Sequence, residues 1–309
     1  MNPQPHAPLL RCADLRVTYH NGGRGLRGVD FTVQTGERVA IIGESGCGKS
    51  TFVRAILGLL PGGARIDGSI VVDRREIVGA GERDLRHMRG RLIGYVPQNP
   101  AGAFDPLRSV GSQVREAWAC HGEHISQRDL AAALRDVGVQ AAEELAHCRP
   151  SAWSGGMLQR AAIMAATALQ PPIVLADEPT SALDRPLARQ MLATLAARSQ
   201  ATVVVTHDID LIADIVDRVV VMYAGYIVED VPAASFFHGA GHPYSRALLA
   251  ALCKPGQLPQ ELPGDPPDGT AEITGCAFAP RCPLRQPVCH LAMPAAASVR
   301  CHFAGAPGS

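Results

Sequence analysis

A lysine and two hydroxyls close a glycine-broken loop in residues 39–51, VAIIGESGCGKST, and these residue types in this order suit the handling of a polyphosphate. Glycines at 43, 46 and 48 let backbone N–H groups converge where side chains would block the approach. Lys49 can set a positive charge against the β and γ phosphates, and Ser50 can offer a hydroxyl to a phosphate-bound Mg²⁺. The spacing fulfils G-x-x-x-x-G-K-[ST] from Gly43 to Ser50; the bland alternative is a glycine-rich turn with a chance lysine. Asp177 and Glu178 stand side by side after the apolar run IVLA, an arrangement costly to bury without a cation. Gln98 ends another apolar run and can reach a metal or a water, and His207 follows VVVT. Ser154, Gly155 and Gly156 open a helical pattern, either as a plain cap or as a second anion site built from unpaired N–H groups. Tyr19 offers a ring that can stack on a purine or fill a half-buried strand position. Cys276, Cys282, Cys289 and Cys301 fall within 26 residues, in a tail rich in proline and glycine with little apolar material for a core. Thiolate ligation of a metal would supply the missing cross-links. Their gaps of five, six and eleven residues differ from the paired C-x₂-C knuckles of zinc modules, without excluding zinc.

The elements that must position these groups follow from periodicity. Residues 39–42 read as a buried strand, 43–48 as a loop and 50 onward as a helix, so the helix N-terminus adds its partial positive charge to the cradle. Residues 9–19 and 28–33 alternate as antiparallel strands around NGGRG, with a further short strand at 68–72. Residues 93–97 form a strand that delivers Gln98, and 109–144 turn helical, an all-helical insertion between two halves of a nucleotide core. A helix over MLQRAAIMAATAL stops at Gln170, Pro171 and Pro172, and strands at 173–176 and 203–206 deliver Asp177, Glu178 and His207.

Composition bounds the function. With 47% apolar residues the chain can bury a large core, and 29 basic against 29 acidic residues leave no net field to draw nucleic acid. No amino-terminal signal pattern is present, and the longest apolar stretch is interrupted too early to span a bilayer, so a soluble cytoplasmic location is expected. Nine cysteines, five of them scattered singly, do not form a secreted disulfide framework.

Taken in order, these motifs resemble the nucleotide-binding subunit of an ABC transporter over residues 10–230. Residues 43–51 resemble the Walker A loop, including Ser45, Cys47 and Thr51; Gln98 the Q-loop; Ser154, Gly155, Gly156 and Met157 the signature; 173–178 the Walker B strand. Ser181, Ala182, Leu183 and Asp184 resemble the D-loop, His207 the switch histidine, and Tyr19 the aromatic that stacks on adenine. Trp153 departs from the leucine of LSGGQ, which implies altered packing with retained phosphate contact. The segment HPYSRALL from His242 and the cysteines with Arg300 and His302 are similar to the tails of dipeptide, oligopeptide and nickel importers.

The resemblance implies an α/β fold: a P-loop NTPase ABC cassette with a RecA-like core, an antiparallel β subdomain and a helical subdomain at about 100–165, spanning 9–235. An extension would precede it at 1–8, and a small cysteine-rich module would follow at 236–309. It further implies ATP and Mg²⁺ as cofactors, with Mg²⁺ held by Ser50, Gln98 and Asp177, Glu178 orienting or deprotonating water, and His207 contacting the γ-phosphate. Ser154 to Met157 and Asp184 would serve the nucleotide of a second ATPase subunit, which is a paralogue or a second copy. Two membrane permeases and, indirectly, an extracytoplasmic binding protein complete the expected set, at the cytoplasmic face of the membrane. For the tail the resemblance favours a [4Fe-4S] cluster over zinc. Two rivals remain. One is a soluble ABC ATPase uncoupled from transport, disfavoured by a single cassette without heptads; the other makes the tail an independent metal or redox module.

Overall fold

The computed structural model describes residues 7–180, 183–252 and 262–304. In chain order, β1 (Leu10–Thr18) and β2 (Arg24–Val33) pair antiparallel around a tight turn, and alternation in β1 buries Leu10, Cys12, Leu15 and Val17. Then come β3 (Arg38–Ile42) and α1 (Lys49–Ile56). β4 (Arg65–Val72) and β5 (Arg75–Glu76) form a hairpin whose turn residues, Asp73 and Arg74, both hold positive φ, as a turn matching strand twist requires. The middle of the chain holds α2 (Glu82–Met88), β6 (Ile93–Val96), α3 (Pro100–Ala103), α4 (Val110–Ala119), α5 (Gln127–Asp136), α6 (Ala142–Leu145), α7 (Gly155–Ala166) and β7 (Ile173–Asp177). After it come α8 (Arg185–Ala197), β8 (Ala201–Val205), α9 (Ile209–Ile212), β9 (Arg218–Tyr223), β10 (Tyr226–Pro232), α10 (Ala233–Gly239), α11 (Pro243–Ala250) and α12 (Pro287–Leu291).

The chain divides into two compact units. The first centres on residues 80–205, where β6, β7 and β8 run parallel and are almost wholly apolar, as strands covered on both faces must be. The helical insertion packs here around α7, with Val114, Leu130, Leu134 and Ile163 buried. The expected helical run at 109–144 is three helices, because Gly122 and Gly138 adopt left-handed backbone at the breaks.

The second unit holds residues 10–33, 37–79 and the chain from Thr206 onward. Its antiparallel sheet runs β2-β1-β4-β5, while β9 pairs parallel with β3 and antiparallel with β10. The tail is not a detached appendage: Phe278, Ala277 and Cys282 share one apolar cluster with Tyr223, Phe236 and Tyr244. Arg300 N–H donates to the Val228 carbonyl and Asp230 N–H to that of Ser298, adding backbone pairing along β10. Among the described residues no helix is long and apolar enough to cross a membrane.

Candidate functional site

In the second unit, β3 ends at Ile42, and the loop that follows reaches α1 with Lys49 as its first residue. Gly43 and Gly48 hold φ of 151° and 110°, and a Cβ on them would lie 2.3 Å from the Met222 carbonyl oxygen and 2.5 Å from that of Gly25. Protein backbone excludes a side chain at both. Gly46, at φ 79°, has open space on its Cβ side, and with Ser45 forms the exposed loop tip. Lys49 is buried; its Nζ donates to the Gly43 and Glu44 carbonyls, each at 2.8 Å, and so braces the loop from within. Burial pushes the Cys47 thiol up, against the opposing pull of Lys49. The Tyr19 hydroxyl and Thr51 Oγ1 share a hydrogen bond of 2.7 Å, tying the aromatic to the first turn of α1, beside half-buried Ser50. His207 is exposed, one residue past Thr206, whose N–H donates to the Ile41 carbonyl at 3.1 Å.

Glu44 is anchored at every polar group. Its carbonyl accepts from Lys49, its N–H donates to Tyr244 Oη at 2.8 Å, and its carboxylate takes Arg281 at 2.7 and 3.0 Å.

In the first unit, β7 delivers buried Asp177, then Glu178 at φ 45°, a left-handed conformation rare for a residue with a side chain. Its N–H donates to the Val205 carbonyl at 2.8 Å, and its Oε2 accepts from Gln98 Nε2 at 2.9 Å, so the two polar groups singled out in the sequence meet. Ser154 caps α7: its Oγ accepts from Met157 N–H at 3.3 Å, leaving Ser154 and Gly155 exposed. Gly156 stands over Leu183 and Leu187. Trp153 is buried, and its indole N–H donates to the Leu145 carbonyl at 3.1 Å, fixing the α7 N-terminus against α6. Gln159, which no local pattern marked, is buried on α7 and donates to the Pro179 carbonyl, linking α7 to the turn after Glu178. Asp184 caps α8 through the Leu187 N–H at 2.9 Å, while Ser181 and Ala182 lie outside the described residues.

Cys276, Cys282, Cys289 and Cys301 line one cavity. Burial raises the Cys276 thiol first, and the neighbouring Cys289, Cys301 and Cys282 raise it further; Cys282 is raised in the same way. Cys276 N–H donates to the Cys289 carbonyl at 2.7 Å, closing one side. Among the described residues no group of three or more His, Cys, Asp or Glu is gathered as one metal ion would gather it.

A strand that ends in a lysine-braced glycine loop and helix, in a chain whose parallel β7 ends in Asp177 and Glu178, defines a P-loop nucleotide-binding cassette of mixed α/β sheets. The family model described as "ABC transporter" matches residues 26–181, and that described as "Oligopeptide/dipeptide transporter, C-terminal region" matches 228–289. The chain belongs to the ABC transporter family.

Among relatives, the probable peptide ABC transporter ATP-binding protein y4tR of Sinorhizobium fredii is 37% identical, covering 97% of this chain and 95% of its own. The dipeptide transport ATP-binding protein DppD of Bacillus subtilis is 36% identical, with coverage of 90% and 87%. The oligopeptide transport ATP-binding protein OppD of Mycobacterium bovis is 36% identical over 93% of this chain, which spans only 50% of that protein's length. Among solved structures, a dimeric bacterial ABC transporter cassette superposes with a TM-score of 0.64 at 27% identity, covering 72% of this chain and 98% of that one.

Proposed function

We propose that the chain is the ATP-binding and hydrolysing subunit that powers an ABC importer of peptides. The observation that carries the reading is the braced loop from Gly43 to Lys49 in a chain whose residues 228–289 match the carboxy-terminal region of oligopeptide and dipeptide transporters. A nickel, metallophore or opine cargo fits the same subunit, since cargo choice would lie in other subunits. The working division is a cassette at 9–235, with its helical subdomain at about 100–165, and a cysteine-bearing region at 236–309.

In this reading Lys49 turns from its carbonyl partners to the β and γ phosphates, and the α1 N-terminus adds its dipole. Tyr19 stacks on the adenine. Ser50, Gln98 and Asp177 hold Mg²⁺, which supplies charge neutralisation when bound; the buried carboxylate of Asp177 suits a hard cation. Glu178, steered by Gln98, orients or deprotonates the attacking water, and His207 contacts the γ-phosphate. Ser154 to Met157, with Asp184, complete the site of a second ATPase subunit, so dilute monomer hydrolyses ATP poorly. The pair docks on two permeases at the cytoplasmic face of the membrane. The four thiols lining one cavity, two of them buried, are the ligands a [4Fe-4S] cluster would take, and such a cluster would cross-link the tail, with Zn²⁺ as the alternative.

Affinity purification from membranes tests the transport reading: permease subunits are expected with the chain, whereas ribosomal or soluble partners would replace it with an uncoupled ATPase. Anaerobic purification with absorption spectra and iron, sulfide and zinc analysis tests the tail. Iron and sulfide in equal amounts are expected; one zinc and no colour would replace the cluster.

A further inference from the structure

The buried guanidinium of Arg281 lies in a short helical turn, Ala279–Arg281, between Cys276 and Cys282. It is nowhere near the phosphate loop in sequence, yet its two terminal nitrogens grip both carboxylate oxygens of Glu44, at 2.7 and 3.0 Å, across 237 residues. Such a two-pronged pair fixes orientation as well as distance. Arg281 is itself fixed: Nε donates to the Pro263 carbonyl at 2.8 Å, one terminal nitrogen also reaches Tyr223 Oη at 3.3 Å, and the guanidinium lies over the Tyr223 and Phe278 rings. Tyr244 in α11 packs against both rings, with centroids 4.6 and 5.4 Å away, and its hydroxyl accepts the Glu44 N–H. The hydrogen bond to Glu44 holds Arg281 firmly charged despite its burial.

These contacts act on the residue next to Gly43. Lys49 holds the Gly43 and Glu44 carbonyls, so the peptide between Ile42 and Ser45 is clamped from one side by the loop's own lysine and from the other by the chain's tail. If ATP takes Lys49 away to its phosphates, the loop loses two internal bonds at the moment it must hold its shape. Apart from a long bond of 3.3 Å from Cys47 N–H to the Glu44 carbonyl within the loop, Arg281 and Tyr244 then keep Glu44 in place.

We infer that Arg281 and Tyr244 are positioning residues of the nucleotide site: they clamp Glu44 so that the loop keeps its cradle shape when Lys49 leaves it, making the tail part of the ATP site. The inference rests on the reading of residues 43–51 as the ATP cradle. Neither residue touches the nucleotide; both act through Glu44.

The test measures binding of a fluorescent ATP analogue to the full chain carrying Lys49→Ala, Arg281→Met, Arg281→Lys, Tyr244→Phe, Glu44→Gln, or Glu44→Gln with Arg281→Met. Arg281→Met keeps the volume and removes the charge; the expected loss of affinity is about tenfold, with about threefold for Tyr244→Phe and Glu44→Gln. Arg281→Lys restores affinity to within about threefold of the unaltered chain, because the charge returns without the second prong. The double variant is no weaker than Arg281→Met by more than about twofold, since both changes break one contact. In the assembled ATPase KM for ATP rises while kcat holds, a split that general loss of folded protein would not give. Folded Arg281→Met and Tyr244→Phe proteins with unaltered affinity would overturn the inference, as would losses that multiply in the double variant. If Arg281→Met does not fold, Tyr244→Phe and Glu44→Gln decide by the same criterion. Unimpaired binding by Lys49→Ala would instead remove the cradle reading itself.

Discussion

The phosphate loop and the turn after β7 both ask the backbone for positive φ, and they meet the demand in opposite ways. At Gly43 and Gly48 the chain gives up the side chain, because neighbouring carbonyls occupy the place where Cβ would sit. At Glu178 it keeps the side chain and tolerates the left-handed backbone, held by the Val205 carbonyl on one side and Gln98 on the other. A loop proposed to work through main-chain N–H groups can be built from glycine, whereas a turn proposed to work through a carboxylate cannot. The cost in the second case falls on the surrounding structure.

Breaking the first arrangement should have the largest effect. Gly43→Ala places a methyl group against the fixed Met222 carbonyl, and unfolding free energy should fall by more than about 4 kcal/mol, or the protein should fail to fold. Denaturant unfolding measures this, and a near-normal Gly43→Ala protein would show that β9 can yield.

The unit holding the loop also carries an acid-sensitive side chain that has no described counterpart beside Glu178. Burial pushes His242 down from 6.5 to about 4, and its Nδ1 accepts the Tyr244 N–H, which requires the neutral ring. A folded value below the unfolded one means stabilisation fully present above pH 6.5 and lost as pH falls through about 4. Between pH 7.5 and 5 this should remove about 2 kcal/mol from the wild type but little from His242→Gln, with hydrogen-exchange protection lost in α11 before β7. Equal slopes for the two proteins would exclude His242 as the cause.

Smaller and matched effects isolate the backbone cost alone. Gly46→Ala meets no neighbour and should cost only about 1 kcal/mol, the penalty of left-handed backbone for an alanine. Glu178→Gly should be more stable than Glu178→Ala by a similar amount, about 1 kcal/mol, since both lose the carboxylate and only one keeps a Cβ at φ 45°. A Glu178→Ala protein as stable as Glu178→Gly would mean the turn carries no strain.

The phosphate loop was legible because its chemistry is local: thirteen consecutive residues hold strand, turn glycines, lysine and helix start. β6, β7 and β8 were legible for a related reason, being short apolar runs that end in polar groups. Three things were not. β9 and β10 have no clear periodic signal because Arg218, Glu229 and Asp230 interrupt their apolar pattern, although Arg218 and Asp230 pair with each other and Glu229 receives the N–H groups of Gly241 and His242. Gln159 looks like any polar residue on a helix until its carbonyl partner is known. The reach of Arg281 to Glu44 has no signature in either segment, because the pairing is made by the packing of Tyr223, Tyr244 and Phe278. At 43 and 48 the glycines also clear space for neighbouring strands, a fact about β2 and β9 that a loop motif cannot contain.

Under the proposed function this cassette hydrolyses ATP with Glu178 as the group acting on water. The most direct measurement is ATP binding beside steady-state hydrolysis for Glu178→Gln in the assembled transporter. Glutamine keeps the hydrogen-bonding shape beside Gln98 while removing the carboxylate, so binding should persist and turnover should fall on the order of 10²-fold or more. A Glu178→Gln protein that turns over ATP at the unaltered rate would contradict the assignment.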